Sequence, residues 1–328
     1  MPSLPPRAHI QAAMERVRAS GRSPLEQADA LSEIALDLQR QPKDPQELWE
    51  AIALYEEAER LTADFPLGHA RILAGKGAAL RRMPGVGLDE MVAARDALDA
   101  ALPVLREKGE DEETAEAEMV HGLILQALAP TGKARLADAV KAYQRALRVF
   151  QPPGFPREFA ILHNNLATAY LSMRMAPEKE GVREALAVQS FQEALKVINL
   201  IDDPSEYAML QNNLGNALQS TKTAHRLENL ARAVEAYDEA LKVRTPHDTP
   251  VEYANTISNK ANALMNLPDD PEDPDKGNPI KLQQAVDLLV EAGNIFQQFG
   301  LPDRAQTVAG IADNLRQELA SDRPGLRS

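Results

Sequence analysis

The sequence predicts an all-α protein, an α-solenoid of about six helical hairpins. Aromatic residues make up only 4% of the chain and hydrophobic residues 44%, so the core must consist largely of Ala, Leu, Val and Ile. That composition suits closely packed helices better than a β-sandwich, and long period-two runs of Val, Ile and Thr are absent from the sequence. The third observation is a helical pattern that recurs six times along the 328 residues.

The recurring pattern is Ala-x-x-x-aromatic/Leu-x-x-Ala, and its final alanine returns every 43 to 52 residues. It occurs as AIALYEEA (51–58), ARDALDAA (94–101), AVKAYQRA (139–146), AVQSFQEA (187–194), AVEAYDEA (233–240) and AVDLLVEA (285–292). Positions i, i+4 and i+7 share one helical face, so the two alanines admit a neighbouring helix while the large side chain fills the middle. We therefore expect burial of the six large side chains, Tyr55, Leu98, Tyr143, Phe191, Tyr237 and Leu289.

A second helix precedes each copy of the pattern, most clearly at 156–173, 204–220 and 250–267. Each of these begins with Pro, followed in the first turn by Glu, and both residue types favour the start of a helix. One position of close packing recurs in the helices that precede the motifs. It is occupied by Gly77, Gly122, Ala167, Gly215 and Ala261. The predicted organisation is a single solenoid over 1–328, with an N-terminal helix in 1–25, six hairpins in 26–298, and a capping helix and tail in 299–328.

The segment NNLGNAL, followed by ARAVEAYDEALKV, resembles a tetratricopeptide repeat. Residues 156–243 match that family well, 250–298 fairly and 26–150 more loosely. The repeats exceed the usual length of about 34 residues, and the excess lies between the paired helices, at 174–184, 220–229 and 268–281. Such long repeats are similar to bacterial arrays found beside caspase-like (CHAT) protease domains, although the chain contains no such domain. The resemblance implies a right-handed α-solenoid of tetratricopeptide-like hairpins with a binding role.

The charge of the chain limits its partners. With 36 Lys and Arg against 49 Asp and Glu, the formal charge is -13, which argues against nucleic acid and anionic membrane as main partners. The chain has no cysteine, which excludes disulfides, thiolate catalysis and Cys-based metal sites. No apolar run resembles a secretory signal or a membrane span of about 18 residues, so we expect a cytoplasmic location.

Asparagine and hydroxyl side chains recur on the first helices of the later hairpins. If these helices line the concave groove, as in tetratricopeptide arrays, one column of these side chains faces a bound peptide backbone. The candidates in that column are Asn164, Thr168, Asn212, Asn216, Asn255, Ser258 and Asn262. A second column, Asn165, Asn213 and Asn259, is offset by one residue, and we expect it to bond between adjacent helices.

The sequence shows no constellation for catalysis. The six histidines lack H-x-x-x-H spacing, and the nucleotide and hydrolase motifs are absent. The acidic segment 268–279 lacks the calcium-loop pattern, and its prolines and acids predict a solvated, mobile loop. The glycines of GKGAALRR (75–82) fit helix packing better than a phosphate loop. We therefore predict no enzymatic activity, no cofactor and no metal site.

The leading functional hypothesis is a non-catalytic interaction module, an adaptor, regulator or assembly factor, that binds a protein or peptide segment in its groove. Ile161, Met209 and Met265 would supply apolar contacts to that segment. A cationic patch of Arg71, Arg81 and Arg82 gives weak support to capture of a C-terminal carboxylate. The alternative is a structural scaffold that associates with itself. The partner's identity, the part of it that is bound, and homo-oligomerisation stay open at this point.

Overall fold

The computed structural model describes residues 5–221 and 225–321, so part of the predicted loop at 220–229 and most of the C-terminal tail lie outside the described residues. The described residues form α-helices and two short 3-10 helices, with no strand among them, which confirms the all-α prediction. The helices are α1 (Ala8–Arg18), α2 (Pro24–Arg40), α3 (Pro45–Leu61), α4 (Pro66–Arg82), α5 (Leu88–Lys108), α6 (Asp111–Leu128), α7 (Leu136–Ala146), α8 (Pro156–Ser172), α9 (Pro177–Leu195), α10 (Pro204–Ser220), α11 (Arg226–Leu241), α12 (Pro250–Leu264), α13 (Pro279–Gln298) and α14 (Pro302–Ser321).

Six successive helix pairs form the predicted hairpins. They are α2 with α3, α4 with α5, α6 with α7, α8 with α9, α10 with α11, and α12 with α13. Each copy of the alanine pattern lies on the second helix of a pair, while α1 packs on α2 and α14 packs on α13. The chain divides into two compact units, Met1–Phe155 and Pro156–Ser328. Within each unit, successive helical hairpins pack against one another, as predicted for an α-solenoid, and one continuous array over both units stays a prediction.

The buried residues follow the small–large–small pattern closely. All twelve alanines that bound the six motifs are fully buried, and Tyr143, Phe191 and Tyr237 are likewise 0% exposed. Gly215 packs directly on a ring of its own hairpin, because a Cβ there would lie 2.5 Å from Cε1 of Tyr237. Gly122 makes the same approach to the ring of Tyr143. The sequence-predicted packing position is therefore confirmed in both units.

Each buried tyrosine of the motif has a hydrogen-bond acceptor that the sequence analysis did not identify. The hydroxyl group of Tyr55 donates to Oε1 of Gln39 at 3.2 Å, and that of Tyr143 donates to Oε1 of Gln126 at 2.7 Å, each on the first helix of the same hairpin. The hydroxyl group of Tyr237 has two amide acceptors on α10, Oδ1 of Asn216 at 2.8 Å and Oε1 of Gln219 at the longer distance of 3.3 Å. Each glutamine lies four residues after the close-packing position. The hairpins with Leu98, Phe191 and Leu289 carry Arg81, Leu171 and Met265 there instead. A buried hydroxyl requires a partner, whereas Phe and Leu do not.

The acidic loop 268–279 is attached to α13 rather than detached from the fold. The carboxylate of Asp269 accepts hydrogen bonds from the backbone N–H groups of Ile280 at 2.8 Å and Lys281 at 2.9 Å. These N–H groups belong to the first turn of α13, where a helix has unpaired donors and favours negative charge. Glu272 and Asp275 are exposed, as expected for a solvated loop. Asp269 therefore ties the start of the loop to α13, and mobility of the rest of the loop stays a prediction.

Candidate functional site

The predicted amide and hydroxyl side chains lie together on α8, α10 and α12 of the second unit. Three positions of each helix contribute: Asn164, Asn165 and Thr168, then Asn212, Asn213 and Asn216, then Ser258, Asn259 and Asn262. We call these nine residues the amide face. All nine are polar and uncharged, and Pro and Glu start each helix in the same register, so equivalent positions recur 48 and then 46 residues apart.

Two cross-helix hydrogen bonds join neighbouring helices of the amide face. Nδ2 of Asn213 donates to Oδ1 of Asn164 at 3.3 Å, and Nδ2 of Asn259 donates to Oδ1 of Asn212 at 3.2 Å. Each bond runs from the second column of one repeat to the first column of the preceding repeat. We call each bonded pair a rung. The two columns are thus connected by hydrogen bonds, and contact of the first column with a ligand stays a prediction.

The remaining members of the amide face have different local roles. Asn165, expected to bond between helices, instead donates to the carbonyl oxygen of Ile161 in its own helix at 2.9 Å. Oδ1 of Asn216 accepts the hydroxyl of Tyr237 at 2.8 Å, so this amide helps satisfy a buried group. Asn212 is only 8% exposed, whereas Asn262 is exposed. Burial therefore separates candidates that the sequence pattern treated as equivalent.

The rung between Asn164 and Asn213 retains capacity for another hydrogen bond on each residue. A side-chain amide carries one carbonyl oxygen and an NH2 group with two donors. The rung uses only the oxygen of Asn164 and one N–H of Asn213. The NH2 group of Asn164 and the oxygen of Asn213 lie outside the rung, on half-buried side chains. Together they offer one donor group and one acceptor, the complement of a peptide group.

Exposed apolar side chains lie beside the rungs. Ile161 is 42% exposed and Met209 is 38% exposed, and each lies three residues before the first asparagine of its helix, hence on the same face. Asn255 occupies the equivalent position of α12. Met265, also predicted to contact a ligand, is half-buried and packs against the core of α12, α13 and α14. The structure therefore places two of the three apolar candidates at the surface.

A cavity of about 280 Å³ lies at the end of the amide face, between α12 and α14. Asn255, Ser258 and Asn259 line one side of it, and Arg304 lines the other. Nη1 of Arg304 donates to Oδ1 of Asn255 at 3.2 Å, and its guanidinium carbon lies 6.0 Å from the ring centroid of Phe296. Sequence reasoning missed Arg304 because it belongs to the closing helix, and no local pattern connects residues 49 positions apart.

The predicted cationic patch of the first unit is not one uniform surface. Arg71 forms an ion pair with Glu113 at 2.7 Å, and this hydrogen bond raises the pKa of Arg71. Arg81 is half-buried, and burial, followed by the neighbouring charge of Arg82, lowers its pKa. Arg82 is exposed. Because the Arg71 charge is compensated, the three side chains give little support to joint capture of a carboxylate.

Within 5–221 and 225–321, no three or more His, Asp or Glu side chains are grouped so that they could hold a metal ion. In the same ranges, no helix combines the length and the apolar character needed to cross a membrane.

Comparisons with known proteins return similar structures only. No family model matches the chain, and no curated protein matches it. The pHSP90 complex of the TPR2AB domain of yeast Sti1 is similar with a TM-score of 0.32 and 19% identity, covering 90% of this chain and 99% of that one. The apo form of the quorum sensor NprR from B. thuringiensis has a TM-score of 0.47 at 14% identity, covering 94% and 82%. A Rap protein complexed with competence and sporulation factor has a TM-score of 0.42 at 12% identity, covering 94% and 81%.

Proposed function

We propose that the chain is a non-catalytic interaction module that binds an extended protein segment along the amide face of its second unit. The observation that carries the proposal is the rung between Asn164 and Asn213, which leaves the NH2 group of Asn164 and the carbonyl oxygen of Asn213 outside its hydrogen bond. A peptide backbone offers the matching acceptor and donor at every residue, so recognition would depend little on the sequence of the segment.

The surroundings of the rungs supply the remaining interactions. Ile161 and Met209 are large apolar side chains with more than a third of their area exposed, and a bound segment would cover them. Burial of apolar area favours association by about 25 cal/mol per Å², before the cost of ordering the segment is subtracted. Neutral amides and apolar contacts together favour an extended segment with a neutral central part.

The test uses the full chain and a displayed library of random peptides. Peptides enriched on the wild type are labelled with a fluorophore, and their dissociation constants are measured by fluorescence anisotropy. The test variant, Ile161→Asp/Met209→Asp, places two charges where the segment should make apolar contacts. We expect its affinity to fall about tenfold or more, because an unpaired charge covered by a ligand is strongly unfavourable.

The matched control is Ile201→Asp, which introduces the same type of charge at a residue that is 88% exposed in the loop between α9 and α10. It should bind the selected peptides with wild-type affinity. Thermal unfolding monitored by circular dichroism verifies that all three proteins are equally folded. Equal binding by the test variant and the wild type would exclude the amide face as the binding surface.

A further inference from the structure

The first unit contains a second cavity, of about 240 Å³, between α2, α4 and α6. Leu36, Ala74, Ala78 and Val120 line it, and Tyr55 of α3 lines it as well. Ligand pockets in proteins usually measure about 300–1,000 Å³, so this volume suits one side chain of a partner better than a cofactor. We call it the side-chain pocket.

Small residues on α4 create the space. Ala74, Gly75 and Ala78 leave the middle of the pocket open, and a Cβ on Gly75 would lie 2.7 Å from the Tyr55 ring. The hydroxyl of Tyr55 donates to Oε1 of Gln39, which also lines the pocket. The Tyr55 proton is therefore committed to Gln39, so the hydroxyl oxygen can act towards a ligand only as an acceptor.

The charged residues of the pocket leave one carboxylate in excess. Glu113 and Glu116 lie three residues apart on α6, hence on one face, and both line the pocket. Glu113 is paired with Arg71, the cation of this group. Within the described residues, Glu116 has no cation at ion-pair distance, and it is exposed. Its charge acts on the interior, since burial and then Glu116 raise the pKa of Tyr55 to about 12.

We infer that the side-chain pocket binds the cationic side chain, Lys or Arg, of a partner protein segment. The apolar stem of such a side chain would contact Leu36, Ala78 and Val120, and its charged end would reach Glu116. A purely apolar side chain would cover Glu116 without pairing it, at a cost in free energy, and an acidic side chain would be repelled. The formal charge of -13 also attracts a basic segment before it makes contact with the pocket. This inference does not rest on the proposed function, which concerns the second unit.

The test titrates the full chain with N-acetyl-arginine methylamide and follows backbone amide signals in ¹H–¹⁵N TROSY spectra. The probe should shift the Gly75 and Ala78 signals in a saturable manner. N-acetyl-citrulline methylamide has nearly the same shape without the charge, and it should bind about threefold to tenfold more weakly, as expected for a partly exposed ion pair. N-acetyl-glutamate methylamide should not bind.

Glu116→Gln and Glu112→Gln form the matched pair of variants. Both remove one negative charge from an exposed residue of α6, but only Glu116 lines the pocket. Glu116→Gln should weaken arginine binding to the level of citrulline, whereas Glu112→Gln should change it by less than about twofold. Ala78→Leu fills the pocket and should abolish binding of both probes, with folding verified by thermal unfolding. Equal binding of arginine and citrulline, equal effects of the two glutamine variants, or shifts confined to residues outside α2, α4 and α6 would overturn the inference.

Discussion

The two units use the same hairpin with opposite surface chemistry at equivalent positions. The nine positions of the amide face correspond in the first unit to Ser32, Glu33 and Leu36 on α2, Ala74, Gly75 and Ala78 on α4, and Met119, Val120 and Leu123 on α6. In the second unit all nine are uncharged and polar, whereas in the first unit seven of the nine are apolar or glycine. One unit therefore has hydrogen-bonded rungs, and the other has an apolar pocket.

The second helix of each hairpin carries the packing that both units share. The second helices have the same buried alanines and large side chains in both units, so they supply the packing. The exposed positions of the first helices vary without changing the pairing of helices. Surface chemistry and scaffold are thus encoded on different helices.

The largest expected effect concerns the shared scaffold. Tyr143→Ala in the first unit and Tyr237→Ala in the second should each lower the free energy of unfolding by about 3–5 kcal/mol, because both rings are fully buried. Urea unfolding followed by circular dichroism measures the change. A cost below about 1 kcal/mol at one site but not at the other would show that the units do not share the packing rule.

Glycine to alanine substitutions give the next largest effect. Gly215→Ala should cost about 1–3 kcal/mol, since its Cβ would lie 2.5 Å from the Tyr237 ring. Gly122→Ala should behave similarly against Tyr143. Gly310→Ala is the control, because no atom lies within 4 Å of its Cβ position in the middle of α14. This control should stabilise the protein by about 0.5–1 kcal/mol, and a loss of stability there would remove the steric explanation for Gly215 and Gly122.

A smaller effect on stability is expected when an asparagine that forms a rung is replaced, compared with an asparagine that is exposed. Asn213→Ala should cost about 0.5–1.5 kcal/mol through loss of its rung with Asn164, and Asn262→Ala, at an exposed position, should change stability by less than about 0.5 kcal/mol. A double-mutant cycle between Asn164 and Asn213, measured by urea unfolding, isolates the rung. Zero coupling in that cycle would mean that the rung does not stabilise the unit.

The smallest expected effect is a dependence on pH that both units share. Burial lowers the pKa of His121 in the first unit and of His163 in the second, each below its ordinary value of 6.5. The unfolded chain therefore binds protons at a higher pH than the folded chain does. Stability due to neutral histidine is present above about pH 6.5 and is lost as the pH falls through that value towards the folded pKa.

The measurement is the urea midpoint at about pH 7.5 and about pH 5.5, a range above the titration of most carboxylates. His163→Gln should reduce the fall in stability between these two values, and His121→Gln should do the same for the first unit. A wild-type midpoint that is constant or rises on acidification would contradict the shifts at both histidines.

Short-range periodicity explains how much of this fold is predictable from sequence. Residues four and seven apart share a helical face whatever surrounds the helix, so the alanine motifs, the buried rings and the six hairpins follow from spacing alone. The polar positions Asn164, Asn212 and Asn216 were likewise evident as a column. Their exposure was not, because the same column includes Asn212, which is buried and bonded to α12, and Asn262, which is exposed to solvent.

Contacts between residues far apart in the chain depend on the tertiary structure. The rungs join residues 47 and 49 positions apart, and Arg304 meets Asn255 across 49 positions. The side-chain pocket requires α2, α4 and α6 to converge, with Gly75 leaving room for Tyr55. No single helix contains these arrangements, because each one depends on the distance and rotation between separate helices. Local spacing predicts which face of a helix is buried, and packing decides which partner that face meets.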